Sequence, residues 1–229
     1  MKKLSVTLSI RERLWGFIYL ALQLLLLPTL LVFFDLLFDL QLSEAKLNFI
    51  FFAVNFIAVT VIFHRFLLGN GQTALRAPLL VLATAASGFF LYFLASFGLS
   101  MLIQSVYPEF YNVNDSFIST MVSDEYRLMI VGTVLLVPIT EETLYRGLIF
   151  GSLYNRSRVL AYTVSTLAFV ILHVFTYIGS YPPVHLLLCL LEYVPAGLCL
   201  GWAYARTDSI WTPILIHTAV NWIAVSAMR

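Results

Sequence analysis

The sequence predicts an all-α protein, a polytopic bundle of helices that crosses a membrane about seven times. Hydrophobic residues make up 61% of the 229 residues and charged residues only 11%, whereas a soluble domain carries roughly 45–50% apolar and ~25% charged residues. The mean hydropathy of +0.92 agrees with that composition. No repeat, linker or low-complexity tract divides the sequence, so residues 1–229 are expected to form a single membrane domain.

Seven apolar segments approach or exceed the length of about 20 residues that a membrane span requires. They are residues 14–34, 47–63, 78–103, 128–154, 159–178, 185–204 and 210–228. The aromatic stretch 107–121 is an alternative eighth half-span. We interpret it instead as a loop that lies along the membrane interface, where aromatic rings are enriched.

The distribution of Lys and Arg predicts the orientation, because cytoplasmic loops carry an excess of both. If the seven segments alternate in direction, nine basic residues fall on the side of the N-terminus and three on the opposite side. The nine are Lys2, Lys3, Arg11, Arg13, Arg65, Arg76, Arg156, Arg158 and Arg206, and the three are Lys46, Arg127 and Arg229. The N-terminus is therefore predicted to be cytoplasmic. The net charge of +1 and the lack of a basic stripe give no indication of nucleic-acid binding.

The fourth segment contains Glu141, Glu142 and Arg146, although an ionisable group at mid-membrane costs at least ~2.5–3.5 kcal/mol. Ending the span before Glu141 would leave about 13 residues after Arg127, too few to cross. Glu142 and Arg146 are i,i+4 neighbours and can pair along the helix. One cation cannot neutralise two carboxylates, so Glu141 is available as a general base or acid. The alternative is a buried ion-pair cluster without chemistry.

Later segments supply possible partners for this cluster. His173 lies in the fifth segment, and His217 and Asn221 lie on one face of the seventh. Their depths from the predicted cytoplasmic ends, roughly 12–21 Å at 1.5 Å per residue, overlap the depth of the charged cluster. A histidine in a membrane span can also serve only to hydrogen-bond one helix to another. Whether the three side chains face a common site depends on how the helices pack.

Three further side chains in the sixth segment are weaker candidates. Glu192 either lines the same cavity or pairs with a neighbouring helix. Cys189 and Cys199 lie in one apolar run and are interpreted as buried free thiols, because they cannot form a disulfide framework.

The polar residues of the late segments include the parts of a peptide-bond hydrolase that needs no nucleophilic side chain. A carboxylate and a histidine can together activate water, and a second histidine with an asparagine can donate hydrogen bonds to an oxyanion. No Gly-x-Ser-x-Gly elbow, His-Glu-x-x-His zinc helix or cofactor motif occurs, so no cofactor is expected. An alternative is a His₂Glu zinc site formed by Glu141, His173 and His217. A transporter, proton relay or immunity protein is the non-enzymatic alternative.

Three sequence motifs resemble those of the CAAX-protease and bacteriocin-processing (CPBP, or Abi) family of intramembrane endopeptidases. Residues 141–146 resemble its Glu-Glu-x-x-x-Arg motif, residues 169–173 its Phe-x-x-x-His motif, and residues 217–221 its His-x-x-x-Asn motif. All three occur in order within residues 128–222, which the resemblance implies to be the catalytic core.

The family resemblance implies a glutamate-dependent mechanism. Glu141 would activate the water with help from His173, and His217 and Asn221 would form the oxyanion hole. Glu142 and Arg146 would support the site's geometry. No resident metal is implied by this mechanism.

The family resemblance also predicts the setting in which the protein acts. The expected partners are the lipid bilayer and a peptide or protein substrate, either soluble or membrane-associated. The compact loops and short N-terminus are typical of bacterial proteins, which predicts the bacterial cell membrane. There the prenylated substrates of the eukaryotic branch are not expected.

Overall fold

The computed structural model describes residues 3–229, which form helices joined by short connections. The α-helices are α1 (Ile10–Leu25), α2 (Leu27–Leu37), α3 (Glu44–Ile62), α4 (His64–Arg76), α5 (Pro78–Val106), α6 (Val113–Val131), α7 (Val137–Glu141), α8 (Gly151–Tyr154), α9 (Arg158–Val174), α10 (Pro183–Thr207) and α11 (Trp211–Ala227). Two π-helical segments, Gly132–Leu136 and Glu142–Phe150, flank α7, and a 3₁₀ turn, Phe175–Tyr177, follows α9. The described residues contain no β-strand, which confirms the predicted all-α class.

Several helices are long and apolar enough to cross a membrane, so the chain is an integral membrane protein. Five such runs are Glu44–Ile62, Pro78–Val106, Val113–Tyr154, Arg158–Tyr177 and Pro183–Thr207, and α1 with α2 makes a sixth if the bent pair counts as one span. The seventh predicted segment forms α11, which has 17 residues and is shorter than a typical span. The span count therefore agrees roughly with the prediction.

The predicted orientation of the N-terminus stays a prediction, because no feature of the structure marks the two sides of the membrane. Lys2, one of the basic residues counted for it, lies outside the described residues.

The first predicted span is two helices rather than one straight segment. The axes of α1 and α2 differ by 50°, and Pro28 lies in the first turn of α2. Proline has no backbone N–H and its ring clashes with the preceding turn, so it breaks or bends a continuous helix. The bend at Leu26 follows from this proline.

The stretch predicted as an interfacial loop is largely helical. The side chain of Asn112 accepts hydrogen bonds from the backbone N–H groups of Asn114 and Asp115, and such a cap stabilises a helix start. Helix α6 therefore begins at Val113, and a non-helical backbone at Glu125 (φ −137°, ψ 61°) separates its first part from its second. The loop prediction is wrong beyond Asn112, and the fourth span is the last part of this kinked run.

One end of the bundle is fastened by the N-terminal segment. The backbone N–H of Leu4 donates to Oδ1 of Asn155 at 2.9 Å, and Nδ2 of Asn155 donates to the carbonyl of Leu4 at 3.2 Å. The backbone N–H of Ser5 donates to Oδ1 of Asp208 at 2.9 Å. Asn155 follows α8 and Asp208 follows α10, so this segment fixes the ends of two helices that contribute to the site below.

Helices α9 and α10 approach each other closely at Gly197. A Cβ atom at that position would lie 2.5 Å from Cγ2 of Thr166 on α9, which no side chain tolerates without a shift. The absence of a side chain lets the two backbones come together. The approach also places the carbonyls of Ala196 and Gly197 within reach of Arg146.

Candidate active site

The Glu-Glu-x-x-x-Arg motif lies where an α-helix changes into a π-helix. Glu141 is the last residue of α7, and Glu142 begins the π-helical segment Glu142–Phe150, every residue of which is buried. A π-helix forms i→i+5 backbone hydrogen bonds and is rare, but it occurs frequently at functional sites. The apolar periodicity of the sequence did not reveal this change of register.

Glu142 and Arg146 form the predicted pair. Nη1 of Arg146 donates to Oε1 of Glu142 at 3.0 Å, and both side chains are completely buried. Nη2 of Arg146 lies 3.4 Å from the carbonyl oxygen of Ala196 and 3.5 Å from that of Gly197. The guanidinium group thus links the π-helix to α10 as well as to the carboxylate.

The same oxygen of Glu142 also binds His217, which the sequence did not predict. Nδ1 of His217 lies 2.8 Å from Oε1 of Glu142. An ionised carboxylate only accepts hydrogen bonds, so Nδ1 carries the proton. Nε2 of His217 takes no part in this bond. The other carboxylate oxygen, Oε2, has no hydrogen-bond partner.

Phe169 connects the residues of all three motifs. The guanidinium carbon of Arg146 lies 4.3 Å from the centre of its ring, within the range of a cation–π contact. The ring centre lies 4.5 Å from that of His173 and 6.2 Å from that of His217. The motif helices therefore do face one another.

Glu141 differs from Glu142 in its surroundings. Its side chain is half-buried, and its Oε2 atom is shielded from solvent without a hydrogen-bond partner. Among the described residues no side-chain hydrogen bond joins Glu141 to His173 or His217. Oε2 of Glu141 is thus not committed to a partner in the described part of the protein.

His173 is held on two sides. Its Nδ1 lies 2.8 Å from the carbonyl oxygen of Phe169, and because a carbonyl only accepts, Nδ1 donates and Nε2 has a lone pair in the neutral ring. Its ring lies on that of Tyr193, with the centres 4.2 Å apart. The hydroxyl of Tyr193 lies 3.1 Å from Oδ1 of both Asn112 and Asp115. Sequence reasoning missed Tyr193, whose spacing carries no motif.

Asn221 uses part of its amide on the backbone of the fourth span. Its Nδ2 donates to the carbonyl of Thr133 at 2.8 Å. A side-chain amide has two N–H groups, so one is fixed by this bond and the second is free to donate elsewhere.

The weaker candidates of α10 have structural contacts. Oε2 of Glu192 accepts a hydrogen bond from Nδ2 of Asn112 at 2.9 Å. Of the two alternatives proposed for Glu192, this contact agrees with pairing to a neighbouring element. Cys189 and Cys199 are free thiols as interpreted, but only Cys189 is buried and Cys199 is half-buried.

The arrangement required by the zinc alternative is not found. No group of three or more His, Cys, Asp or Glu side chains within residues 3–229 is placed to hold a metal ion. Nδ1 of His173 bonds to the carbonyl of Phe169 and Nδ1 of His217 bonds to Glu142, so only Nε2 of each ring is uncommitted.

Comparison with known proteins points to one family. Residues 123–223 match the family model described as "Rce1-like: Type II CAAX prenyl endopeptidase Rce1-like". The "Putative membrane peptidase YdiL" of Bacillus subtilis (strain 168) is 35% identical over 99 residues, which are 43% of this chain and 36% of that protein. The "UPF0177 protein YxdF" of Lactococcus lactis subsp. lactis (strain IL1403) is 28% identical over 95 residues, 42% of this chain and 47% of that protein.

The matched region covers less than half of this chain and of either relative. No solved structure matches the chain. The matched stretch nevertheless contains all three motifs, so residues 123–223 are similar to the Rce1-like family, as the motifs predict.

Proposed function

We propose that this protein is an intramembrane endopeptidase that hydrolyses a peptide bond with a water activated by Glu141. The observation that carries the proposal is the shielded, unpartnered carboxylate oxygen of Glu141. It directly adjoins a buried cluster in which Glu142 already holds Arg146 and His217. Shielding a carboxylate oxygen from water without a hydrogen-bond partner is costly, and a reaction that needs a base explains why it is kept.

The chemistry assigns a role to each motif residue. Glu141 takes a proton from water, with Nε2 of His173 as the second acceptor that orients it. The water oxygen attacks the scissile carbonyl carbon, and the developing oxyanion accepts hydrogen bonds from His217 and Asn221. Protonated Glu141 then returns its proton to the leaving amine, and the peptide bond breaks.

Charge balance supports the role of Glu142. His217 donates to Glu142 through Nδ1, so it can donate to an oxyanion through Nε2 only if the ring is the doubly protonated cation. The two carboxylates, Glu141 and Glu142, then face two cations, Arg146 and His217. Glu142 stabilises the imidazolium, and a neutral site forms inside the membrane.

The setting follows from the fold and the relatives. We place the protein in a bacterial cell membrane, since the two relatives named above are bacterial. Its substrate is then a peptide or protein that reaches the bilayer, and the reaction belongs to peptide or membrane-protein processing.

The test compares peptides released from membranes that contain wild-type protein or the Glu141→Gln variant. Mass spectrometry should detect peptides that depend on the wild-type protein and disappear in the variant. Glu192→Gln is the matched control, because Glu192 is also an intramembrane acid but pairs with Asn112. A Glu141→Gln variant that releases the same peptides as wild type at the same rate would refute the mechanism.

A further inference from the structure

A hydrogen bond between α11 and the fourth span fixes the orientation of Asn221. Nδ2 of Asn221 donates to the backbone carbonyl of Thr133 at 2.8 Å. Carbonyl groups within a helix normally accept from their own backbone. The carbonyl of Thr133 instead accepts from a side chain on another helix.

The backbone of the fourth span explains why this carbonyl is available. In an α-helix the carbonyl of Thr133 would accept from the N–H of Val137, but that N–H donates to Gly132 instead. In the π register, i→i+5, its partner would be residue 138. Residue 138 is proline and has no N–H. Neither register supplies a backbone donor.

We infer, on the basis of the proposed peptidase function, that Pro138 is a positioning residue for Asn221. Because Pro138 has no backbone N–H, the carbonyl of Thr133 is free to accept a hydrogen bond from the side-chain amide of Asn221. Because an amide is planar, fixing one N–H fixes the direction of the second, which then donates to the oxyanion. If Pro138 served only to bend the helix, the effect of replacing it would be the same with and without the Asn221 side chain.

This coupling can be measured without a substrate. Asn221→Ala removes the donor to Thr133 and should lower Tm, by roughly 2–4 °C for a chain of this length if one half-buried hydrogen bond is lost. Pro138→Ala supplies an N–H in register with that carbonyl. The double variant should therefore regain much of the Tm that Asn221→Ala loses.

The controls separate this coupling from general effects of removing proline. Pro195 also lies inside a helix, α10, and Pro195→Ala should not restore the Tm of Asn221→Ala. Asn221→Leu also lacks the donor, so Pro138→Ala should restore its Tm too. Losses of Tm in the double variants that equal or exceed the sum of the single losses would overturn the inference.

Activity supplies the second readout. Pro138→Ala should lower kcat by roughly 10–10²-fold with little change in KM, because the oxyanion donor is misdirected. It should have no further effect in an Asn221→Ala background. An equal loss in both backgrounds would overturn the inference. If wild-type membranes release no peptide, the proposed function fails, and the Tm cycle still decides whether Pro138 positions Asn221.

Discussion

Oε1 of Glu142 accepts hydrogen bonds from both Arg146 and His217, at 3.0 and 2.8 Å. The two donors come from different elements, the π-helical segment and α11, and the oxygen between them is completely buried. Glu142 therefore joins the first and third motifs, and a change at this one residue should affect stability and chemistry together.

Replacing Glu142 with Gln is expected to destabilise the protein and to abolish peptide release. Arg146 would remain buried without its hydrogen-bonded carboxylate, and losing one partner of a buried ion pair costs about 3–5 kcal/mol. His217 would also lose the carboxylate that stabilises its cationic form. Thermal unfolding in detergent and the peptide-release comparison measure the two effects.

Glu192→Gln is the control for that prediction. Glu192 hydrogen-bonds to a neutral side chain, Asn112, so replacing it with Gln leaves no buried cation unpaired. A Glu142→Gln variant as stable as Glu192→Gln would contradict the importance of the buried pair.

Tyr193 is predicted to position His173 through its ring. Tyr193→Phe keeps the ring beneath the imidazole and should lower the rate only a few-fold. Tyr193→Leu removes the aromatic face and should lower the rate by roughly tenfold or more, since small displacements of a reacting group are costly. The measurement is the rate of peptide release at saturating and at limiting substrate.

The comparison of the two Tyr193 variants is informative in either direction. If Tyr193→Phe loses as much activity as Tyr193→Leu, the hydroxyl contacts with Asn112 and Asp115 matter, and the ring contact with His173 does not. If Tyr193→Leu is as active as wild type, the prediction is wrong.

The sequence predicted the class of fold and the local pairing well. Apolar length located the spans that contain His173 and Glu192, and the spacing of Glu142 and Arg146 predicted their ion pair. Both are short-range properties, because helix formation and i,i+4 contacts depend on neighbouring residues. The structure confirms the ion pair.

Contacts between distant residues could not be predicted. The bond between Glu142 and His217 joins residues 75 positions apart, and nothing in the spacing of either motif specifies it. The π register from Glu142 onward was also missed, because apolar periodicity does not distinguish the hydrogen-bond registers of neighbouring helical forms. In contrast, Pro28 could have indicated the bend between α1 and α2, since proline interrupts helices.

Chelators are predicted to leave peptide release unchanged. The proposed mechanism uses His173 and His217 as hydrogen-bonding groups, and no group of three or more metal-ligating side chains lies together within residues 3–229. Peptide release is measured before and after incubation with EDTA and 1,10-phenanthroline. A zinc-dependent protease in the same detergent serves as the positive control. Inhibition that zinc reverses would favour the His₂Glu alternative over the glutamate mechanism.

Replacing Gly197 with Ala is predicted to disturb the site by displacing α10, whose carbonyls contact Arg146. The added Cβ would lie 2.5 Å from Cγ2 of Thr166, and overpacking of this kind typically costs about 1–3 kcal/mol. Relief of the clash should separate α9 from α10 and move the Gly197 carbonyl away from Arg146. Both Tm and the rate of peptide release should therefore fall.

Gly98→Ala is the matched control, because a Cβ at Gly98 meets no atom within 4 Å. Alanine is a better helix former than glycine by up to about 1 kcal/mol, so Gly98→Ala in α5 should leave Tm unchanged or raise it. If Gly197→Ala behaves like Gly98→Ala, the two helices adjust without loss. The close approach at Gly197 would then not determine the position of Arg146.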